Sequence, residues 1–350
     1  MREALKWCER ALFVGIGGGG DAVSAALLAL AARREGLSRT FFGSVVWERL
    51  PRDPLPGPIP LSQLRGATTL SRGLAICEGG CSAERDGTRV EPQASLVAGA
   101  LREGAYLFDL SLGVDGMVSG LREASRLLEL ECVVGVDVGG DVLAESGEEN
   151  AWSPLADSIG LAALARLERE RGPRAIIAVH SPGADGELGP ARVLERVSLV
   201  AERGGYLGAR GLTARDAEVL EKLLSVASTE ASAMQLRAFR GERGIAKLRG
   251  NRFVELSILQ TLTFFLEARA VYELSDLAKS LIETTTIEEA RRRLNSLGVY
   301  TELDLEEDAR SFREERGRWP TGEEIAELRR IGRNRIRRQK QMRREQKIGA

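Results

Sequence analysis

Four consecutive glycines near the start of the chain could bind an anion. An apolar segment, residues 11–16, precedes Gly17 to Gly20, and Asp21 with an Ala/Leu-rich stretch follows them. Glycine allows backbone conformations that a Cβ atom forbids, and a helix N-terminus presents unpaired N–H groups and a positive dipole end. We therefore predict a strand, a phosphate-binding loop and a helix capped by Asp21. A tight turn that only packs the helix against a sheet is the alternative.

The same loop has the spacing of a dinucleotide-binding motif. Gly15, Gly17 and Gly20 satisfy G-x-G-x-x-G, and Glu48 ends the next predicted strand, where such folds place an acid for the ribose hydroxyls. Glu48 follows Gly20 by 28 residues, more than the usual interval of about 20. No lysine follows the loop, which excludes a Walker-A motif. The residues predicted to bind the cofactor here are Gly15, Gly17, Gly18, Gly19, Gly20, Asp21 and Glu48.

Carboxylates follow several other predicted strands. Asp137 and Asp141 flank a second glycine turn, Gly139 and Gly140, and Asp185 lies in a third, looser one. The carboxyl ends of parallel strands meet in one crevice, and carboxylates gathered there repel one another unless a cation stabilises them. Mg²⁺ prefers such oxygens and commonly also binds ligand phosphates. The acids expected at this crevice are Asp109, Asp115, Asp137, Asp141, Asp157, Asp185 and Glu187.

These acids divide into predicted roles. We predict Asp137 and Asp141 as metal ligands, Gly139 and Gly140 as a further cofactor-binding turn, and Asp185, His180 and Asp141 as catalytic residues. The alternative is that glycine-flanked aspartates only cap helices and form turns. His180, the only histidine, is equally consistent with a hydrogen-bonded core residue.

Glycine loops for phosphate and carboxylates for metal suggest an enzyme that acts on a nucleotide or another phosphorylated metabolite. Phosphoryl transfer with Mg²⁺ and ATP or ADP fits best, because positioning and metal charge do most of that work. An oxidoreductase that uses NAD(P) is the first alternative, supported by the G-x-G-x-x-G spacing and Glu48.

The elements that position these residues alternate between strands and helices with short links, which predicts a doubly wound, mostly parallel, Rossmann-like α/β sheet. Ser153 is predicted to cap a helix that begins at Pro154. We assign residues 1–205 to the Rossmann-like core, 206–305 to a helical or mixed portion packed on it, and 306–350 to an Arg-rich extension.

The charges are unevenly distributed along the chain. It has 50 Lys and Arg against 51 Asp and Glu, yet residues 329–350 hold ten basic side chains and one Glu. A second alternative is that residues 329–347 bind nucleic acid. Binding to its phosphates would weaken as the salt concentration rises, and because the segment has no aromatic side chains to stack on bases, the binding would depend little on nucleotide sequence. Docking of this basic segment on the acidic body of its own or a neighbouring subunit in a homo-oligomer is the competing interpretation.

The cysteine, histidine and arginine content and the one long apolar stretch limit the classes of protein to which the chain can belong. Four cysteines and one histidine are too few for the usual zinc sites and predict buried thiols or one local Cys77–Cys81 disulfide. The glycines and Asp21 interrupt the one apolar stretch that resembles a signal sequence, so we expect a cytoplasmic protein with no membrane partner. Arginine outnumbers lysine, which is typical of thermophiles and also of GC-rich coding.

Several motifs together resemble a known family. They are Gly17-Gly-Gly-Gly-Asp21, Trp47-Glu-Arg49 with the following proline-rich loop, Asp137-Val-Gly-Gly-Asp141, Ser153-Pro-Leu-Ala-Asp157 and Gly183-Ala-Asp-Gly-Glu-Leu188. The sequence is similar to the prokaryotic family called domain of unknown function 1152 over about residues 8–305. The resemblance implies a single α/β fold and assigns no catalytic residue.

Overall fold

A computed structural model describes residues 1–348 as a mixed α/β protein built on a nine-stranded sheet. The strands in these residues are β1 (Arg10–Gly15), β2 (Arg39–Val45), β3 (Thr68–Ser71), β4 (Leu74–Cys77), β5 (Ala83–Arg85), β6 (Thr88–Val90), β7 (Ala105–Phe108), β8 (Cys132–Val138), β9 (Arg174–His180), β10 (Tyr206–Gly211), β11 (Gly244–Lys247), β12 (Phe253–Leu256) and β13 (Leu262–Glu267). The pairs β5–β6 and β11–β12 form separate hairpins.

The order of the main sheet is β10-β13-β9-β8-β1-β2-β7-β4-β3. The five central strands, from β9 to β7, pair in parallel, whereas the flanking pairs are antiparallel. The predicted mixed α/β class with a large, mostly parallel sheet is therefore confirmed. The chain leaves β1 in one direction to reach β2 and later returns to β8 on the other side of β1. The order thus reverses between β1 and β8, and the strand ends open a crevice there.

Helices cover both faces of the sheet. They are α1 (Asp21–Arg34), α2 (Gln93–Leu101), α3 (Gly113–Leu128), α4 (Pro154–Arg169), α5 (Pro190–Glu202), α6 (Ala214–Leu224), α7 (Glu230–Phe239), α8 (Ala268–Leu274), α9 (Asp276–Leu281), α10 (Ile287–Ser296), α11 (Glu302–Arg316) and α12 (Gly322–Ile348).

The two faces form two apolar layers. Leu12 and Val14 of β1 pack in the layer that contains α3 and α4, while Ala11 and Phe13 pack in the layer that contains α1 and α2. Successive strand residues point to opposite faces, so a strand covered on both faces is apolar throughout. This packing holds β1, and therefore the glycine loop that follows it, in a fixed position.

The sheet and the C-terminal helices cross the domain boundaries predicted from the sequence. β10 and β13 belong to the central sheet although they follow residue 205. The boundary at 305/306 lies within α11. The core and the two later segments are thus interleaved in the fold.

The basic segment forms most of α12, which packs on the protein's own body. Arg329 is buried and donates through Nη2 to the carbonyl oxygens of Glu149 at 2.9 Å and Ala151 at 2.6 Å. Arg337 pairs with Glu149, and Arg335 with Asp308. The side chains of Arg344 and Lys347 lie outside the described residues. Self-docking accounts for these contacts, whereas nucleic-acid binding and oligomerisation stay predictions.

Replacing Arg329 by alanine is expected to lower the free energy of unfolding by about 2–3 kcal/mol, because the buried carbonyl of Ala151 and the part-buried carbonyl of Glu149 lose a charged donor. Thermal and urea unfolding measure this loss. Arg338→Ala, at an exposed position of the same helix, is the matched control and should change stability by less than about 0.5 kcal/mol. Equal effects of the two substitutions would contradict the docking of α12 through Arg329.

The cysteines form two disulfides, Cys77–Cys81 and Cys8–Cys132. The first is the local bridge considered from the sequence. The second joins residues separated by 124 positions, which local spacing does not reveal. No described helix has the length and apolar character to cross a membrane.

Candidate functional site

A cavity of ≈ 280 Å³ lies at the carboxyl ends of β1 and β8. Eight carboxylates and three guanidinium groups line it together with the glycine loop, so its formal charge is strongly negative. The charged lining residues are Asp21, Glu48, Asp137, Asp141, Asp157, Asp185, Glu187, Glu230, Arg49, Arg52 and Arg252. A cavity with this charge favours cations, or anions that arrive with a cation.

The glycine loop is packed closely by acids and by the next strand. The Gly17 N–H donates to Asp21 Oδ2 at 2.9 Å, and the Gly19 N–H donates to the Trp47 carbonyl oxygen at 3.0 Å. Asp21 is the first residue of α1 and binds the loop rather than a helix N–H, so the predicted cap is wrong. A Cβ atom on Gly17 would lie 2.8 Å from Asp157 Oδ1. The loop therefore leaves space for these carboxylates.

Asp137, Asp141 and Asp157 form the first acidic cluster. They offer carboxylate oxygens within 4.8 Å of one another, and all three side chains are buried. Asp137 accepts from the Val142 N–H at 3.3 Å, and Asp141 accepts from Ser153 Oγ at 3.3 Å. Asp157 is only 1% exposed, and neither of its oxygens accepts a hydrogen bond from the described residues. A buried carboxylate without a donor is energetically unfavourable in its ionised form.

Asp185 and Glu187 lie beside this cluster but differ in their bonding. Asp185 Oδ1 accepts from the Glu187 N–H at 3.1 Å, whereas buried Oδ2 has no partner among the described residues. Glu187 accepts from the N–H groups of Trp152 and Ser153, from Ser153 Oγ at 2.6 Å and from Arg252 at 3.2 Å. Glu187 therefore holds the segment before α4, while Asp185 keeps one oxygen available.

Burial and mutual repulsion shift the acids toward their protonated forms. Desolvation raises the pKa of Asp137 to about 6, although a hydrogen bond with Asp141 opposes the rise. Desolvation and the charges of Asp157 and Glu187 raise the pKa of Asp141 well above its ordinary value. The pKa values of Asp21, Asp157 and Asp185 are also raised, primarily by burial. A bound cation would reverse these shifts by favouring the ionised forms.

The backbone N–H groups at the N-terminus of α4 are hydrogen-bonded by a side chain from a distant part of the chain. Glu302 accepts from the N–H groups of Leu155 at 3.0 Å and Ala156 at 2.9 Å. The side chain of Ser153 makes no cap bond and instead donates to Glu187 and Asp141, so its predicted capping role is wrong. Glu302 thus occupies these N–H groups, and Asp157 in the same first turn lines the cavity.

Arg49 joins the glycine loop to α11. Its Nη2 atom donates to the Gly17 carbonyl oxygen at 2.7 Å and lies 3.3 Å from Glu302 Oε1. Its guanidinium group stacks on Trp47, 4.0 Å from the ring centroid. Glu306 accepts from Trp47 Nε1 at 3.0 Å, and burial raises the Glu306 pKa to about 7. α11 therefore supports the cavity wall from behind.

The sequence predicts Glu48 at the end of the second strand; it lies three residues beyond β2 and beside the loop. Its Oε1 atom accepts from the Gln93 N–H at 2.8 Å, and Oε2 lies 3.2 Å from Arg52 Nε. Burial raises the pKa of Glu48 to about 7. A Cβ atom on Gly19 would lie 2.1 Å from Oε1, so glycine is required for this contact.

Other predicted residues lie away from the cavity lining. His180 is buried, with Nδ1 2.7 Å from Thr263 Oγ1 and Nε2 3.0 Å from Gln235 Oε1, and burial lowers its pKa to about 4. Asp109 accepts from Leu61 and Ser111, and Asp115 pairs with Arg166. Gly139 and Gly140 form the turn that places Asp141.

Sequence reasoning missed several residues of the site. Arg49 and Arg252 line the cavity, and Glu302 and Glu306 support it from α11. The i,i+4 spacing of the two glutamates indicates one helix face, but nothing local reveals that this face meets the start of α4.

The fold and the site define a mixed α/β protein with an acid-lined cavity at the reversal of its strand order. The family described as "Protein of unknown function (DUF1152)" matches residues 12–310, so the chain belongs to this family, as its motifs predicted. No curated protein and no solved structure matches the chain.

Proposed function

We propose that the protein is an enzyme that binds a nucleotide or another phosphorylated metabolite together with a divalent cation in the acidic cavity. The observation that carries the proposal is Asp157, a buried carboxylate without a hydrogen-bond donor among the described residues, next to Asp137 and Asp141. Carboxylate oxygens of this kind match the ligands of Mg²⁺.

Asp137, Asp141 and Asp157 would hold the cation. The second group, Asp141 with Asp185 and Glu187, is a weaker candidate because Glu187 already accepts from three residues. Mg²⁺ keeps open positions for water or phosphate oxygens, and it would supply charge that stabilises a transferring phosphoryl group.

The surroundings fit a metal–phosphate ligand better than a free anion. A phosphate bound at the glycine loop without a cation would be repelled by the carboxylates of Asp21 and Asp157. A cation between the phosphate and these carboxylates would offset that repulsion. Arg49 and Arg252 add positive charge at the cavity wall. Asp185, whose Oδ2 is available and whose pKa is raised, is the general acid or base candidate.

Calorimetric titration with ATP, ADP and sugar phosphates, each with and without Mg²⁺, tests the function. We expect at least one ligand to bind at micromolar to low millimolar concentration only with Mg²⁺. Absence of binding by all of them at millimolar concentration would refute the proposal.

The pH dependence of stability provides a further prediction. Burial raises the pKa values of Glu48 and Glu306 from 4.5 to about 7, so the stability that their protonated forms contribute is lost as pH rises from about 4.5 to 7, and the last part is lost just above 7. Without divalent cation, the free energy of unfolding should fall by about 1–2 kcal/mol between pH 6.5 and 8. Burial lowers the pKa of His180 from 6.5 to about 4, so this residue makes the free energy of unfolding rise with pH only between about 4 and 6.5, below the pH range of this prediction.

Mg²⁺ should counteract this loss, because it binds the ionised forms of Asp137, Asp141 and Asp157 and therefore stabilises the protein more as these groups lose their protons. The measurement is the Tm with EDTA and with Mg²⁺ at each pH. A difference in Tm between Mg²⁺ and EDTA that stays constant from pH 6.5 to 8 would contradict this prediction.

A second candidate is a Rossmann-like NAD(P)-dependent oxidoreductase. It is favoured by the order β7-β2-β1-β8-β9, which matches the 3-2-1-4-5 order of dinucleotide-binding sheets, and by Glu48 beside the loop. Quenching of protein fluorescence by NADH that is lost in Gly17→Val would support it, and no response to NADH would exclude it.

A further inference from the structure

A second, larger cavity adjoins the acidic one. It measures ≈ 760 Å³ and lies between the linker that joins α11 to α12 and the loop before β12. Half-buried apolar side chains make up much of its wall, among them Trp152, Leu305, Trp319 and Ile325. Its size falls in the range of ligand pockets, roughly 300–1,000 Å³.

The two cavities share a wall and are continuous in their lining. Arg49, Ser153, Glu187 and Arg252 contact both. Arg49 is held by Glu302 at 3.3 Å and Arg252 by Glu187 at 3.2 Å, so both guanidinium groups are fixed by buried acids at the passage. A ligand that extends from the acidic cavity to the apolar cavity therefore passes the guanidinium groups of Arg49 and Arg252, which lie between the two.

Tryptophans give the apolar cavity a chemical preference. Trp319 lies on the linker and has the guanidinium group of Arg313 over its ring, 4.7 Å from the centroid. Trp152 lies opposite the linker and has two such groups over its ring, those of Arg329 at 4.6 Å and Arg252 at 5.5 Å. Among the described residues, Trp319 is therefore the less covered of the two rings. Tryptophan faces stack well on planar rings and provide large apolar contact area. The lining thus fits a ring better than a flexible polar chain.

We propose that this second cavity binds the aromatic group of the phosphorylated substrate, a nucleobase or a ring of similar size, with phosphate at the passage formed by Arg49 and Arg252. The inference rests on the proposed function for its phosphate end, and it assigns the substrate to phosphorylated compounds that carry an aromatic ring. Trp319 is the specificity-determining residue.

Calorimetry compares Mg²⁺-tripolyphosphate with the Mg²⁺ complexes of ATP, GTP, CTP and UTP. At least one nucleotide should bind more tightly than tripolyphosphate. Trp319→Ala should weaken that nucleotide about 5- to 150-fold, as expected for one stacked base, and leave tripolyphosphate unchanged. Trp319→Phe, which keeps a ring, should recover most of the affinity. Trp7→Ala, at a 49% exposed tryptophan outside both cavities, is the matched control and should change neither ligand.

The two proposals fail in different ways. If no phosphate ligand binds with Mg²⁺, the proposed function fails, and adenosine, guanosine, cytidine and uridine without metal then test the aromatic site alone. Saturable nucleoside binding that is lost in Trp319→Ala supports that site. Absence of nucleoside binding, or nucleotides that bind no more tightly than tripolyphosphate, overturns the inference.

Discussion

Asp157→Asn is expected to abolish the Mg²⁺-dependent stabilisation of the protein and to weaken cation binding at least about 100-fold. Asp157 is the member of the cluster with both oxygens free of hydrogen bonds among the described residues, so the cation would be its principal partner. Losing a direct ligand should cost more than the 10–100-fold typical of residues that only orient ligands.

The same substitution should stabilise the protein when no divalent cation is present. An amide of the same shape replaces a carboxyl group whose pKa is raised by burial and by the charges of Asp137 and Asp21, and we expect a gain of about 1–2 kcal/mol at pH 8.5. A gain in stability together with a loss of binding is typical of functional sites and not of structural acids.

Thermal unfolding with EDTA or with Mg²⁺, combined with calorimetric titration of Mn²⁺, measures both effects. Asp115→Asn is the matched control, because that aspartate is partly exposed and pairs with Arg166 at the surface. It should retain cation binding and change stability by less than about 0.5 kcal/mol. An Asp157→Asn protein that binds Mn²⁺ like wild type would refute the assigned ligands.

Gly139→Ala is expected to destabilise the protein by about 3 kcal/mol or more. Gly139 has φ +122°, which side-chain-bearing residues rarely adopt, and a Cβ atom there would lie 2.2 Å from Asp185 Cγ. The backbone strain costs about 1–3 kcal/mol, and displacing a buried carboxylate adds to it. The carbonyl oxygen of Gly139 also accepts a hydrogen bond from the Gly183 N–H at 2.6 Å, so a displacement of the turn would also displace the loop that carries Asp185.

Urea unfolding of the variant checks this expectation. Gly147→Ala is the control, because no atom of the described residues lies within 4 Å of the position of its added Cβ and its φ is not positive. It should leave stability within about 0.5 kcal/mol of wild type. Two variants of equal stability would show that the turn tolerates a side chain and that Asp185 is held less tightly than its contacts indicate.

The parts of the fold that follow from local patterns could be predicted from the sequence. The apolar run of β1, the glycines after it and the Ala/Leu-rich α1 specify strand, loop and helix over a few residues. Asp137, Asp141 and Asp185 could be grouped because neighbouring parallel strands end at one edge, and β8 and β9 are such neighbours.

The parts that depend on distant contacts could not be predicted. Asp109 also follows a strand, but β7 lies on the far side of β1 and β2, and its carboxylate binds Leu61 and Ser111. Glu302 reaches the start of α4 across 147 residues, and this long-range contact replaces the local cap expected of Ser153. Side-chain capping rules describe what a residue can do locally and not which tertiary partner it meets.

Anomalous scattering of Mn²⁺ in crystals of the protein tests the proposed cation site most directly. We predict one strong anomalous peak among the carboxylates of Asp137, Asp141 and Asp157, absent from crystals of Asp157→Asn grown under the same conditions. A wild-type map at millimolar Mn²⁺ with no peak among these three residues would contradict the assignment of these aspartates as cation ligands.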